Sequence, residues 1–190
     1  MEIVDIFVHV KDSLYAVVYK TEGDAYKSLF SRWQDVEYLE QFFEDNKKDL
    51  QSGFYGNITI DQAVLKTLGE SRKFDRITLN AAEKGKVDEE KALEDVIFKS
   101  LHKDDLSHVH IQSKAYGPSK KSWLRIYAIR IAPNLFVVSG GAIKLTPDMR
   151  PEHLKLELRK LKASASYLKE IGFEFEEDLG YIEIGNYDND

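Results

Sequence analysis

The feature that most constrains this chain is a change in hydrophobic period near Ser107. Between residues 25 and 106, apolar residues recur mostly at the three- and four-residue spacing of amphipathic helices. Residues 108–114, 122–131 and 135–145 instead have the alternating or β-branched and aromatic composition of strands. Breaker-rich turns separate these segments, so we predict a three-stranded antiparallel meander and an α+β fold.

The first twenty residues also have strand character. Residues 3–10 and 14–20 are rich in β-branched and aromatic side chains, and Lys11-Asp12-Ser13 makes a short polar connection between them. We therefore predict an N-terminal β-hairpin.

Helix-start patterns follow this hairpin. Gly23-Asp24 opens the first helical segment, and Asp35 is suited to cap the second. Thr59 and Gln62 have the spacing of a capping box ahead of a third. We predict further helices around residues 75–84 and 88–100. The chain is expected to comprise a region 1–106 and a region 107–190 within one compact unit.

A long helix is predicted after the meander, beginning at Pro147 or Arg150-Pro151. Gly140-Gly141, inside the last strand, indicates a bulge or a close approach of backbone. The helix has an apolar stripe, formed by Leu154, Leu158, Leu161 and Leu168, and beside it a basic stripe, formed by Lys155, Arg159, Lys162 and Lys169.

Charge is distributed unevenly along a chain whose net charge is −6. Residues 107–171 contain 12 Lys and Arg against 4 Asp and Glu, whereas residues 172–190 contain 7 acidic residues and no Lys or Arg. Local fields attract polyanions more directly than net charge does, so residues 107–171 are where a functional surface is expected. The alternative is that the acidic segment 174–178 covers the basic stripe.

Composition excludes several classes of protein and site. With no cysteine, the chain has neither disulfides nor a thiolate metal site. The N-terminus lacks the features of a signal peptide, and no apolar run reaches transmembrane length, so we expect a cytoplasmic protein that does not associate with a membrane. No phosphate-binding loop, nucleophile elbow or zinc-protease motif occurs, and we predict no cofactor or metal.

Polar side chains gather on one face of the predicted meander. Arg125 and Tyr127 share a face because side chains two apart in a strand point the same way. The polar face of the preceding strand has His108, His110 and Lys114. In a suitable register this set would suit RNA cleavage without metal. Histidine or tyrosine would transfer protons, and arginine would stabilise phosphate charge.

The run KSWLRIYAIRIAPNLFVVSGGAIKLTPDMRPEHLKLELRKL resembles the end of RelE/HigB-type toxins, and the likeness covers roughly residues 107–171. The shared pattern is an arginine-bearing strand, a turn, an apolar strand ending near a lysine, and a helix. The resemblance implies a metal-independent endoribonuclease that cleaves messenger RNA, commonly on the ribosome, and is blocked by a cognate antitoxin. It implies Arg125 as the strand arginine and Lys144 as the strand-end lysine, with Tyr127 and Arg130 as further carry-overs.

The alternative is a non-enzymatic interaction module that binds nucleic acid or an acidic protein through the same basic face. In either case the candidate RNA-binding residues are Lys114, Lys120, Lys121, Arg130 and Arg159. Arg130 falls on the opposite alternation from Arg125, which favours a salt bridge over a catalytic role.

Overall fold

The N-terminal hairpin is present and forms one edge of a central sheet in the computed structural model, which describes residues 1–100 and 112–173. Strand β1 (Ile3–Val10) pairs antiparallel with β2 (Leu14–Tyr19). The turn between them is closed by a hydrogen bond from the Ser13 amide to the Val10 carbonyl. This arrangement confirms the predicted hairpin.

The predicted meander belongs to the same sheet as the hairpin. Two short strands, β3 (Gly23–Asp24) and β4 (Phe98–Ser100), precede the meander strands β5 (Gln112–Tyr116), β6 (Leu124–Ala132) and β7 (Leu135–Ile143). The strand order across the described sheet is β1-β2-β7-β6-β5-β4, and β3 pairs with β2. Strand β7 joins the two halves by pairing parallel with β2. The fold is therefore α+β, with a mixed sheet.

Three of the described helices begin where the capping residues predicted. The described helices are α1 (Ala25–Arg32), α2 (Val36–Asp45), α3 (Lys47–Leu50), α4 (Ile60–Lys84), α5 (Leu93–Val96) and α6 (Glu152–Glu170). Asp24 and Asp35 cap α1 and α2 through their side chains, and Thr59 with Gln62 forms a complete capping box on α4. Pro151 immediately precedes α6.

One predicted helix is wrong, and another is part of a longer helix. Residues 75–84 are the second half of α4 rather than a separate helix. Residues 88–100 form a 3₁₀ turn, the short helix α5 and strand β4 in place of one helix. Tertiary contacts explain this segment: the Asn134 side chain accepts a hydrogen bond from the Leu93 amide, and Phe98 stacks on Phe136 at 4.6 Å between ring centroids.

Strand β7 contains a bulge beside Gly140-Gly141, as the glycine pair predicted. Tyr127 pairs with Gly140 but Ala128 pairs with Val138, which leaves Ser139 as the extra residue. A Cβ atom at Gly140 would overlap the Glu157 carboxylate of α6, and one at Gly141 would overlap the Leu29 side chain of α1. Since successive residues of a strand face opposite sides, α1 and α6 pack on opposite faces of the sheet.

The core fills both sides of this sheet. Its largest fully buried side chains include Trp33, Trp123, Phe74, Phe98 and Phe136. Among residues 1–100 and 112–173, no helix combines the length and the apolar character needed to cross a bilayer.

Candidate nucleic-acid interface

The register of β5 and β6 brings three of the predicted polar side chains, Lys114, Arg125 and Tyr127, onto one face of the sheet. Tyr116 lies opposite Arg125, and Lys114 lies opposite Tyr127. Directly opposed residues of antiparallel strands point to the same side, so these four side chains share a face. The alternation of the sequence predicted this face for Lys114, Arg125 and Tyr127, and the pairing of β5 with β6 supplies the register and adds Tyr116, which the sequence placed in the turn.

Tyr116, Arg125 and Lys114 form a cation–aromatic cluster. The Tyr116 side chain is solvent-accessible, with 40% of the residue exposed. The Arg125 guanidinium carbon lies 4.2 Å from the centroid of its ring, and Lys114 Nζ lies 5.2 Å from the same centroid. Arg125 Nη1 also donates to the carbonyl oxygens of Ser122 and Leu124, at 2.7 and 2.8 Å. The guanidinium is therefore held in place against the tyrosine.

The turn between β5 and β6 carries a second cation–aromatic pair. Lys120 and Lys121 are both exposed in this turn. Lys121 Nζ donates to the Phe54 carbonyl at 3.2 Å and lies 5.5 Å from the centroid of the Phe54 ring, which is 64% exposed. We define the basic–aromatic surface as Phe54, Lys114, Tyr116, Lys120, Lys121 and Arg125.

Helix α4 holds this turn through Lys66 and Glu70. The Glu70 carboxylate accepts hydrogen bonds from the hydroxyls of Ser119 and Ser122, each at 2.5 Å. Lys66 Nζ donates to the Lys121 carbonyl at 3.1 Å and lies 4.2 Å from the centroid of a Trp123 ring. Sequence reasoning missed Phe54, Lys66 and Glu70, because they come from segments about 50 or more residues before the turn.

Of the predicted catalytic residues that the structure describes, Tyr127 lies deepest. It is 2% exposed, and its hydroxyl lies 3.8 Å from Met149 Sδ. Lys144 directly follows β7, where its amide donates to the Trp123 carbonyl and its Nζ to the Pro147 carbonyl, both at 2.7 Å. His108 and His110 lie outside the described residues. The described residues therefore place Arg125 on an accessible face but bury Tyr127.

Two of the predicted RNA-binding residues, Arg130 and Arg159, form ion pairs with glutamate side chains. Arg130 Nε lies 2.5 Å from Glu94 Oε2, which confirms the expected salt bridge. Arg159 Nη2 donates to Glu152 Oε1 at 2.8 Å on the outer side of α6. The acidic segment 174–178, considered as a cover for the basic stripe, also lies outside the described residues. The predicted RNA-binding lysines, Lys114, Lys120 and Lys121, belong to β5, which ends at Tyr116, or to the turn that follows it.

A buried charge cluster connects α6 to the β2–β3 turn. Lys160 is 1% exposed, and its Nζ lies 2.5 Å from Glu22 Oε2 and 3.4 Å from Glu157 Oε1. Burial raises the pKa of Glu157, and attraction to Lys160 and Arg32 only partly offsets this. The sequence contained a sign of the cluster: position 157 lies three residues after Leu154 and four before Leu161, on the apolar stripe.

A separate cavity of about 650 Å³ lies between β1, α1 and α4. Its lining includes His9, Tyr26 and Asp75. The Tyr26 hydroxyl donates to Asp75 Oδ1 at 2.8 Å, and His9 Nε2 lies 3.1 Å from Asp24 Oδ1. Because Tyr26 is only 3% exposed, little of its ring is accessible to a ligand.

No group of three or more His, Asp or Glu side chains within residues 1–100 and 112–173 could hold a metal ion. No protein-family model, curated protein or solved structure matches the chain. The RelE/HigB relationship therefore stays a prediction.

Proposed function

We propose that this protein binds single-stranded RNA through the basic–aromatic surface. The observation that carries the proposal is the Tyr116–Arg125–Lys114 cluster, in which an accessible aromatic ring is stacked with a guanidinium and flanked by an ammonium group. Bases of unpaired RNA stack on tyrosine rings and on arginine planes, while lysine neutralises the neighbouring phosphates. Both hypotheses drawn from the sequence include a nucleic acid as a ligand of this basic face.

The exposed aromatic rings favour RNA over an acidic protein as the ligand. A surface that recognises only carboxylates needs cations but gains little from accessible flat rings. Here two rings, Tyr116 and Phe54, each lie beside a cation, Arg125 and Lys121 respectively. Stacking on such rings contributes about 1–3 kcal/mol per base and tolerates any sequence.

The test is equilibrium binding of a fluorescent single-stranded RNA of about 12 nucleotides, within the usual range of site sizes, measured by anisotropy at two salt concentrations. Tyr116→Ala and Arg125→Ala should each weaken binding about tenfold, which corresponds to the lower part of the range for stacking of one base. Arg76→Ala is the matched control, since it removes an exposed arginine of α4 that lies outside the basic–aromatic surface. Equal affinity of wild type, Tyr116→Ala and Arg125→Ala would contradict the proposal, as would equal competition by polyglutamate.

A second candidate is an endoribonuclease toxin of the RelE/HigB type. One observation favours it: β6 with Arg125, then β7 with Lys144 after it, then α6, follow the order of elements that the resemblance implies. In this mechanism Arg125 and Lys144 would stabilise phosphate charge. Because Tyr127 is buried, His108 or His110 would be the proton-transfer groups.

Cleavage separates the two candidates. An endoribonuclease should cut RNA in vitro, arrest growth when expressed alone, and lose both effects in Arg125→Ala. A cognate antitoxin expressed from a neighbouring gene should bind the chain and relieve the arrest. Binding of RNA without any cleavage product would leave the interaction module as the function.

A further inference from the structure

We infer that Glu70, although negatively charged, is a positioning residue that supports RNA binding by holding the β5–β6 turn in its binding conformation. The inference rests on the proposed function. Glu70 accepts hydrogen bonds from both sides of the basic pair Lys120-Lys121. Electrostatics alone would make such a carboxylate unfavourable for a phosphate ligand. Removal of Glu70 should therefore strengthen RNA binding if only charge matters, and weaken it if Glu70 positions the turn.

The two hydrogen bonds fix the turn on both sides of the basic pair. Ser119 precedes Lys120 and Ser122 follows Lys121, and each hydroxyl donates to a different oxygen of Glu70 at 2.5 Å. A carboxylate can accept both bonds at once because it has two acceptor oxygens and no competing donor. Hydrogen bonds to a charged acceptor contribute more than neutral ones, which suits an anchor for a solvent-exposed turn.

Lys66 completes the anchor from the same face of α4. It lies one helical turn before Glu70, with Nζ 3.9 Å from Glu70 Oε1. The same ammonium group donates to the Lys121 carbonyl at 3.1 Å. Backbone bonds within the turn, from Gly117 to Leu124 and from Ser122 to Ser119, leave Lys120 and Lys121 at its tip. Helix α4 therefore fixes the position of the basic pair.

The turn also has little room to rearrange around its glycine. A Cβ atom at Gly117 would overlap the Ser122 hydroxyl. The Ser122 hydroxyl that donates to Glu70 is thus packed against Gly117, at the end of β5 beside Tyr116. Loss of the Glu70 carboxylate is expected to free the Ser122 side chain. The distance between the basic pair and the Tyr116–Arg125 cluster would then no longer be fixed.

The test compares RNA affinity in Glu70→Ala, Glu70→Gln and the double variant Ser119→Ala/Ser122→Ala. Glu70→Ala should weaken RNA binding about fivefold. The slope of the logarithm of the binding constant against the logarithm of the salt concentration should become shallower by about 0.7 for each phosphate that the turn no longer binds. The double serine variant should show a similar decrease in affinity while keeping the negative charge. Glu70→Gln, which keeps one acceptor oxygen, should fall between wild type and Glu70→Ala.

Glu83→Ala is the matched control, because it removes a carboxylate near the other end of α4, where its partner within the described chain is Lys86. It should leave affinity unchanged or slightly raised. If Glu70→Ala binds RNA as tightly as wild type or more tightly, the inference is overturned. The same holds if the double serine variant binds normally.

Hydrogen exchange of the turn tests the anchor independently of RNA. Amides of Gly117 and of residues 119–123 should exchange faster in Glu70→Ala than in wild type, with exchange in β6 and β7 unchanged. Unchanged exchange in the turn would overturn the anchoring role even if RNA binding fell. Failure of the wild-type chain to bind RNA would instead refute the proposed function, and the exchange result would still decide whether Glu70 orders the turn.

Discussion

Glu157 of α6 places its carboxylate over Gly140 of β7, in the space that a Cβ atom at position 140 would occupy. Glu157 is buried, and its Oε2 atom accepts no hydrogen bond from the described residues. Its other oxygen, Oε1, lies 3.4 Å from Lys160 Nζ. Because Gly140, next to the β7 bulge, has no side chain, the Glu157–Lys160 pair of α6 can lie directly against the sheet.

Replacing this glycine should destabilise the fold. The added methyl group of Gly140→Ala would overlap the Glu157 carboxylate, which is buried and cannot move into solvent. Overpacking of this kind costs about 1–3 kcal/mol, measured as the free energy of unfolding in urea. Gly69→Ala is the control: position 69 is on the exposed face of α4, where a Cβ meets nothing within 4 Å, so helix propensity should stabilise that variant by up to about 1 kcal/mol. Equal effects of the two substitutions would contradict the prediction.

Glu157 should make stability depend on pH in an unusual direction. Burial raises its pKa above the ordinary value of 4.5, against the attraction of Lys160 and Arg32 and with a contribution from Glu22; Tyr38 also faces this carboxylate. A raised carboxyl pKa contributes stability below the ordinary value, and this is lost as pH rises through the raised value. The unfolding free energy of wild type relative to Glu157→Gln should therefore fall as pH rises above the ordinary value of 4.5. A constant difference above that value would refute the assignment.

Lys160 should be costly to remove alone. Lys160→Met leaves the buried Glu157 carboxylate without its ion-pair partner, and breaking a buried ion pair this way costs about 3–5 kcal/mol. Glu22 is 38% exposed at its side chain and can regain water. The destabilisation should shrink when Lys160→Met is made in the Glu157→Gln background, because no buried charge is then left unpaired. Additive effects in this double-mutant cycle, followed by urea unfolding, would contradict the coupling.

Local sequence patterns predicted the elements whose causes are local. The hairpin followed from strand composition around Lys11-Asp12-Ser13, and Asp35 and the Thr59–Gln62 box mark true helix starts. The helix predicted over residues 88–100 was wrong because the structure of that segment depends on partners far along the chain. Leu93 is bonded to Asn134 and Phe98 stacks on Phe136, and such interactions override helix propensity.

The candidate interface could be predicted only in part for the same reason. Alternation placed Arg125 and Tyr127 on one face, and this is the face they share. It could not show that Tyr127 is buried beside Met149 while Arg125 packs on Tyr116. The packing of α4 and of the loop before it brings Phe54, Lys66 and Glu70 to the β5–β6 turn. The hydrophobic period and the residue spacing of the sequence do not reveal such long-range packing.

Asp24 should stabilise the fold through two roles at once. Its carboxylate caps α1 by accepting from the amides of Tyr26 and Lys27 at 2.9 and 3.0 Å, and it binds His9 of β1 at 3.1 Å. A cap alone contributes about 1 kcal/mol, so Asp24→Ala should cost more than Asp35→Ala, which removes a cap with a single amide bond. Urea unfolding of the two variants measures the difference, and an equal cost would contradict the second role.

The acid dependence of Asp24 gives a second measurement. Burial opposes ionisation of Asp24, but the hydrogen bonds from His9 and the α1 amides outweigh it and lower its pKa below 3.8. A lowered carboxyl pKa contributes stability above the ordinary value that is lost as pH falls through the lowered one. The difference in unfolding free energy between wild type and Asp24→Asn should therefore be largest above pH 3.8 and shrink below it. His9→Ala should reduce that difference at neutral pH, and an undiminished difference would show that α1 capping alone accounts for it.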